Sequence, residues 1–222
     1  MIKKSPFSFW YRNGLTLFFL ALFAITLAGQ ALTGWKENNN KIVEEGGKAL
    51  AFASYLRSGH FISATFENFQ SEFLQMGMYV LLTVGLRQIG SAESKSLTEQ
   101  EEVDREPKPG PNAPSLVNKG GWWLKVYSNS LSLCFLLLFL ISWILHFYGS
   151  WVDHNNQQLL KHKPAETFTG FLSEPTFWFE TFQNWQSEFI SIVSIVFLSI
   201  YLRQKGSPES KPVDAPHMET GK

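Results

Sequence analysis

The sequence predicts an all-α membrane protein: four transmembrane helices arranged as two parallel tandem hairpin repeats, with short interfacial helices in the outer loops. Three observations carry this prediction. Apolar residues are bunched into four runs, at 15–32, 73–86, 131–148 and 189–202. The chain aligns with itself at an offset of 116 residues. Between the paired runs lie polar stretches rich in Phe and Trp, a composition suited to the membrane interface.

The first run, Leu15 to Leu32, holds eighteen residues and no charge, enough for a helix to cross a hydrocarbon core of about 30 Å. Lys3, Lys4 and Arg12 ahead of it also fit a secretory signal. Ala28-Gly29-Gln30 is a poor cleavage site, however, and the repeat counts against removal. A span at about 15–33 is expected. From Thr33 to Glu67 the chain turns polar, with Asn38-Asn39-Asn40 and Gly46-Gly47 as breakers. Within it, Ala49 to Arg57 places Leu50, Ala53 and Leu56 on one side of a short interfacial helix.

The second run, Phe73 to Leu86, has only fourteen residues. To cross, its helix must draw in Asn68-Phe69-Gln70-Ser71-Glu72, giving a span at about 67–87. Arg87 ends the helix and Gly90 is placed to cap it. The first repeat is thus 1–95. Residues 96–119 are rich in Pro, Glu and Lys with little to bury, and read as a disordered cytoplasmic linker. The pattern then restarts in a second repeat, 120–206, with spans at about 131–149 and 183–203. Residues 207–222 read as a disordered cytoplasmic tail.

Laid on each other, residues 11–95 and 127–211 match without a gap at 33 of 85 positions, where composition alone gives about one in ten. Many matches are polar: Trp35 with Trp151, Asn39 with Asn155, Gln70-Ser71-Glu72-Phe73 with Gln186-Ser187-Glu188-Phe189, Glu93-Ser94-Lys95 with Glu209-Ser210-Lys211. Each repeat holds two spans, so both repeats enter the membrane from one side, related by an approximate two-fold along its normal. Of the 19 Lys and Arg, thirteen fall in the N-terminal segment, linker and tail, and six in the hairpin loops. Both termini and the linker are therefore expected in the cytoplasm.

Zero formal net charge argues against a nucleic-acid partner, whose phosphates demand excess cations. Cys134 stands alone in an apolar run, so no disulfide forms within the chain; it reads as a small buried hydrophobe. No phosphate loop, nucleophile elbow or His-Glu-x-x-His pattern occurs. His60, His154 and His162 lie in outer loops, and their repeat partners are Thr176, Asn38 and Gly46. Surface histidines are expected rather than a metal site, and no cofactor.

The residues to watch are Glu72 and Glu188, with Gln70, Gln186, Gln30 and His146 placed by the repeat at one depth near the outer leaflet. Two readings stay open. The carboxyls pair across the two-fold and serve an ion or proton path, or each caps the first turn of its own helix while the glutamines bond between helices. Arg87-Gln88 and Arg203-Gln204 read as cytoplasmic anchors, or as a docking site because the following Gly-Ser-x-Glu-Ser-Lys also repeats.

These doubled motifs, Glu67-Asn68-Phe69-Gln70-Ser71-Glu72-Phe73 and Leu86-Arg87-Gln88 with Asn184-Trp185-Gln186-Ser187-Glu188-Phe189 and Leu202-Arg203-Gln204-Lys205-Gly206-Ser207, resemble those of an uncharacterised family of bacterial four-span integral membrane proteins, a domain of unknown function. The resemblance implies a multi-pass protein of the bacterial plasma membrane and supplies no catalytic residue. The expectation is a non-enzymatic structural or interaction component, in contact with lipid and forming homo-oligomers or binding a membrane partner. The alternative is a small transporter or channel passing a cation or proton by way of Glu72 and Glu188. A membrane enzyme ranks last, since no nucleophile or metal-ligand set accompanies the carboxylates.

Overall fold

The computed structural model describes residues 8–221, and these are helical or irregular, with no strand among them. They divide into two compact units, Met1–Ala64 with Tyr148–Phe171, and Thr65–Phe147 with Leu172–Lys222. Lys3, Lys4 and Lys222, used above for orientation, lie outside the described residues.

In the first unit, α1 (Phe9–Glu44) starts at Ser8, whose hydroxyl accepts the Trp10 N–H at 3.2 Å. It runs straight through Asn38-Asn39-Asn40, so these asparagines are not breakers. The reason is where Asn39 points. Its side chain donates to the Leu50 carbonyl at 3.0 Å and accepts the Leu50 N–H at 2.7 Å, while Trp35 donates to the same carbonyl at 2.7 Å. An asparagine bonded to another segment no longer competes with its own helix. The short helix that follows, α2 (Phe52–Tyr55), is a single turn.

The same arrangement recurs 116 residues on. In the portion of α6 (Ser130–Leu160) that lies in this unit, Asn155 binds the Glu166 carbonyl and N–H at 3.1 and 2.7 Å, and Trp151 reaches that carbonyl at 2.9 Å. Phe52 packs on Trp35 with centroids 5.6 Å apart, and Phe168 on Trp151 at 5.8 Å. Phe168 opens α7 (Phe168–Phe171), whose limits are those of α2 shifted by the same offset. Past the ends of α1 and α6, Gly46 has φ 81° and its counterpart His162 φ 55°, a left-handed conformation that costs a side-chain-bearing residue energy. A Cβ on Gly59 or Gly149 would run into the other's backbone, so the first turn of α3 (Gly59–Leu82) touches α6 backbone to backbone.

The second unit holds α3 from Thr65 onward, α6 up to Phe147 and α8 (Pro175–Tyr201), which opens on a proline at a position needing no N–H. Helices α3 and α8 begin at Gly59 and Pro175, earlier than the expected 67 and 183. Glu72 and Glu188 therefore each lie thirteen residues inside a helix. Neither caps a first turn, and that reading is set aside.

Past the other ends of α3 and α8, Arg87 donates to the carbonyls of Thr83, Val84 and Leu86 at 3.2, 3.1 and 3.0 Å. Arg203 does the same to Ser199, Ile200 and Leu202 at 3.1, 3.1 and 2.8 Å. Ser94 accepts the Gln88 N–H at 2.9 Å, and Ser210 the Gln204 N–H at 2.9 Å. Gly90 and Gly206 turn with φ 81° and 82°. The repeated Leu-Arg-Gln-x-Gly-Ser-x-Glu-Ser-Lys is thus a helix-ending device that satisfies orphan carbonyls.

Two segments read from composition as disordered have structure. In 96–119, Lys95 pairs with Asp104 and holds its carboxyl below the usual carboxylate range. A 3-10 turn covers Glu102–Asp104, and α4 (Ser115–Lys119) ends near Asn118, which clamps Gly110 through bonds of 2.9 and 3.1 Å. A further short helix, α5 (Gly121–Ser128), leads to α6. In the tail, Lys211 is 2% exposed and donates to the carbonyls of Gly90, Pro216, His217 and Glu219 at 2.6–3.3 Å. An ion pair, bonds to backbone and the buried Val117 order these segments.

Two helices, α1 and α6, are long and apolar enough to cross a membrane, and only 6% and 22% of their most apolar stretches are buried. Soluble proteins rarely leave so much contiguous apolar surface uncovered. Cys134 is exposed on α6 rather than buried.

Candidate functional site

In the second unit, α3 carries polar residues at every fourth position, Glu67, Ser71, Gln75 and Tyr79, with Gln70 beside them. That spacing keeps them on one slowly winding face. On α8, Glu180, Asn184 and Glu188 follow the same interval. The two faces meet. Asn184 donates to the Glu67 carboxylate, Trp185 Nε1 to Gln70 Oε1 at 3.0 Å, and Gln75 Nε2 to the Glu188 carbonyl at 2.9 Å. Residue numbers rise together along these contacts, so α3 and α8, equivalents in the repeat, run parallel here. Gln70, Ser71 and Gln75 are buried, where polar groups are costly unless bonded.

Glu72 and Glu188 stand near each other along this seam, Glu72 exposed and Glu188 half-buried. Beyond them the Tyr79 hydroxyl donates to Glu93 at 2.6 Å. A cavity of about 290 Å³ opens at this end, lined by Gln75, Tyr79, Thr83, Arg87 and Glu93 and by aliphatic residues such as Val193 and Val196.

At the other end of the seam α6 supplies His146. It is fully buried, its ring 5.1 Å from that of Phe177 and its Nε2 3.7 Å from a Glu180 carboxylate oxygen. One ligand atom each from Glu67, His146 and Glu180 lie within 4.8 Å of one another. Both ring nitrogens of His146 lack a hydrogen-bond partner, as do the Thr181 hydroxyl and the Gln70 amide nitrogen.

Of the six residues expected at one depth, Glu72 and Glu188 stand near each other, and Gln70 is fixed by Trp185. His146 joins Glu67 and Glu180, Gln186 is exposed, and Gln30 is a half-buried residue of the first unit. Arg87, Gln88, Arg203 and Gln204 take part in the helix ends described above. Sequence reasoning missed Glu67, Glu180 and Asn184 as site residues, and expected no metal-ligand set. A span starting at about 183 leaves Glu180 in the Phe- and Trp-rich stretch between the runs, whereas α8 begins at Pro175. The i, i+4 spacing of Glu180, Asn184 and Glu188 was the signal that these residues share a helix face.

The domain of unknown function DUF6766 matches residues 7–222, and the chain belongs to that family. No curated protein and no solved structure matches it.

Proposed function

We propose that this family member is a four-span, non-enzymatic protein of the bacterial cytoplasmic membrane, built as two tandem hairpins, that passes a proton or small cation by way of Glu72 and Glu188. Helices α1 and α6 supply two spans on length and apolarity; α3 and α8, of 24 and 27 residues, supply the other two. Hydrogen bonds recurring at 116 residues support the duplication. The observation that carries the functional reading is the parallel seam of α3 and α8, whose bonds (Gln75 to the Glu188 carbonyl at 2.9 Å among them) bring Glu72 and Glu188 near each other.

Two neighbouring carboxylates repel, and a passing proton or cation between them relieves that repulsion. A membrane-embedded ionisable pair is costly and marks ion or proton paths. On the next turns of α3 come Gln75 and Tyr79, then Glu93 at the cavity that this reading places on the cytoplasmic side. The bilayer is the surrounding partner, with a homo-oligomer as the expected assembly.

The test is flux. Purified protein reconstituted into liposomes is expected to dissipate a proton or alkali-cation gradient. The double variant Glu72→Gln/Glu188→Gln is expected to lose that flux with its elution volume and thermal midpoint unchanged. Wild-type liposomes as tight as empty ones, as a purely structural component would leave them, would overturn the reading.

A further inference from the structure

We propose that Glu67, His146 and Glu180 form a binding site for one divalent transition-metal ion, a site that stands whether or not ions pass Glu72 and Glu188. Two carboxylates and an imidazole suit a borderline-soft divalent ion, while Ca²⁺ prefers an all-oxygen shell. Carboxylate oxygen and imidazole nitrogen bind such an ion at about 2.0–2.2 Å, which sets neighbouring donors about 3.3 Å apart. The donors here lie within 4.8 Å of one another, so small side-chain rotations close the shell.

The second observation is independent of the acidic pair. His146 is 0% exposed, sits 3.7 Å from Glu180, and has neither ring nitrogen engaged in a hydrogen bond. A buried imidazole without hydrogen bonds carries its full desolvation penalty uncompensated; a metal ion bonded to its nitrogen offsets that penalty. Two carboxylates also balance a double positive charge, so the filled site is close to neutral where uncompensated charge is costly. Asn184 donates to Glu67, the kind of outer contact that orients a metal-binding carboxylate.

The duplication sharpens the assignment. At the repeat positions of Glu67, His146 and Glu180 stand Gln183, Gln30 and Ala64. The ligand set therefore exists once in the chain, assembled from both repeats. It breaks a symmetry that packing alone would have left neutral.

The full chain in detergent, stripped with a chelator, is to be titrated with Zn²⁺ and separately with Co²⁺. The expected result is one ion per chain, with visible Co²⁺ bands that report nitrogen and oxygen ligation. His146→Gln, Glu67→Gln and Glu180→Ala each install the residue of the other repeat, and each is expected to weaken Zn²⁺ binding by about 100-fold or more. The metal-free melts of these variants establish that they fold; any one that folds suffices. Glu72→Gln/Glu188→Gln is expected to bind Zn²⁺ as wild type, which separates this site from the flux reading. Absence of stoichiometric Zn²⁺ and Co²⁺ binding to wild type, or unchanged binding in the folded variants, would overturn the assignment.

Discussion

Asn39 holds Leu50 by both its backbone groups, accepting its N–H at 2.7 Å and donating to its carbonyl at 3.0 Å. Asn155 holds Glu166 the same way. Each asparagine thus satisfies a loop N–H that would otherwise be left wanting, and shares the carbonyl with Trp35 or Trp151. Asn39→Ala is expected to lower stability by about 1–3 kcal/mol, and Asn155→Ala by a similar amount. Thermal melts in detergent check this; a loss within error at both positions would show that water replaces the side chain freely.

Gly34 faces the Tyr55 hydroxyl so closely that a Cβ would collide with it, and Tyr55 is 1% exposed. The repeat places Ser150 and Phe171 at the matching positions, a larger residue with a ring lacking the hydroxyl. Gly34→Ala is therefore expected to destabilise by about 1–3 kcal/mol through overpacking. Tyr55→Phe should recover much of that loss in the double variant. Melts of the four proteins in a double-mutant cycle measure the coupling; strictly additive effects would contradict the contact.

Tyr55 also titrates abnormally. Burial first, then the negative charges of Glu37 and Asp153, push its phenol from 10.0 up to about 12. The folded chain thus keeps a proton that the unfolded chain releases near pH 10. The stability tied to that proton is complete below about pH 10 and is lost as pH rises toward 12. Melts at about pH 9 and about pH 11.5 should show a steeper loss for wild type than for Tyr55→Phe. Parallel losses would contradict it.

Much of the fold is legible in the residues. The apolar character of α1 and α6 follows from their long runs of uncharged residues. What stayed hidden depends on partners distant in sequence. Asn38-Asn39-Asn40 looked like a breaker because its bond to Leu50 is eleven residues away. Glu180 looked like loop because aromatic content masks a helix start at Pro175. The tail looked disordered because nothing in its composition shows that Lys211 finds four carbonyls.

Lys211 is accordingly expected to hold the tail. Lys211→Met keeps the stem and removes the donors, leaving the carbonyls of Gly90, His217 and Glu219 without their bond. Limited proteolysis should then cut the tail faster in the variant, by about tenfold for a local loss of roughly 1.4 kcal/mol. Equal cutting rates would mean that Arg203, which also reaches the Ala215 carbonyl at 3.1 Å, suffices alone.

Everything proposed for Glu72 and Glu188 depends on both hairpins crossing the membrane in the same sense. Single cysteines at Lys48, Lys163 and Ser115, all exposed, can be placed in a Cys134→Ser background and probed in intact cells with a membrane-impermeant maleimide. The account predicts labelling at positions 48 and 163 and protection at 115 until the membrane is opened. Labelling at 115, or opposite outcomes at 48 and 163, would contradict it.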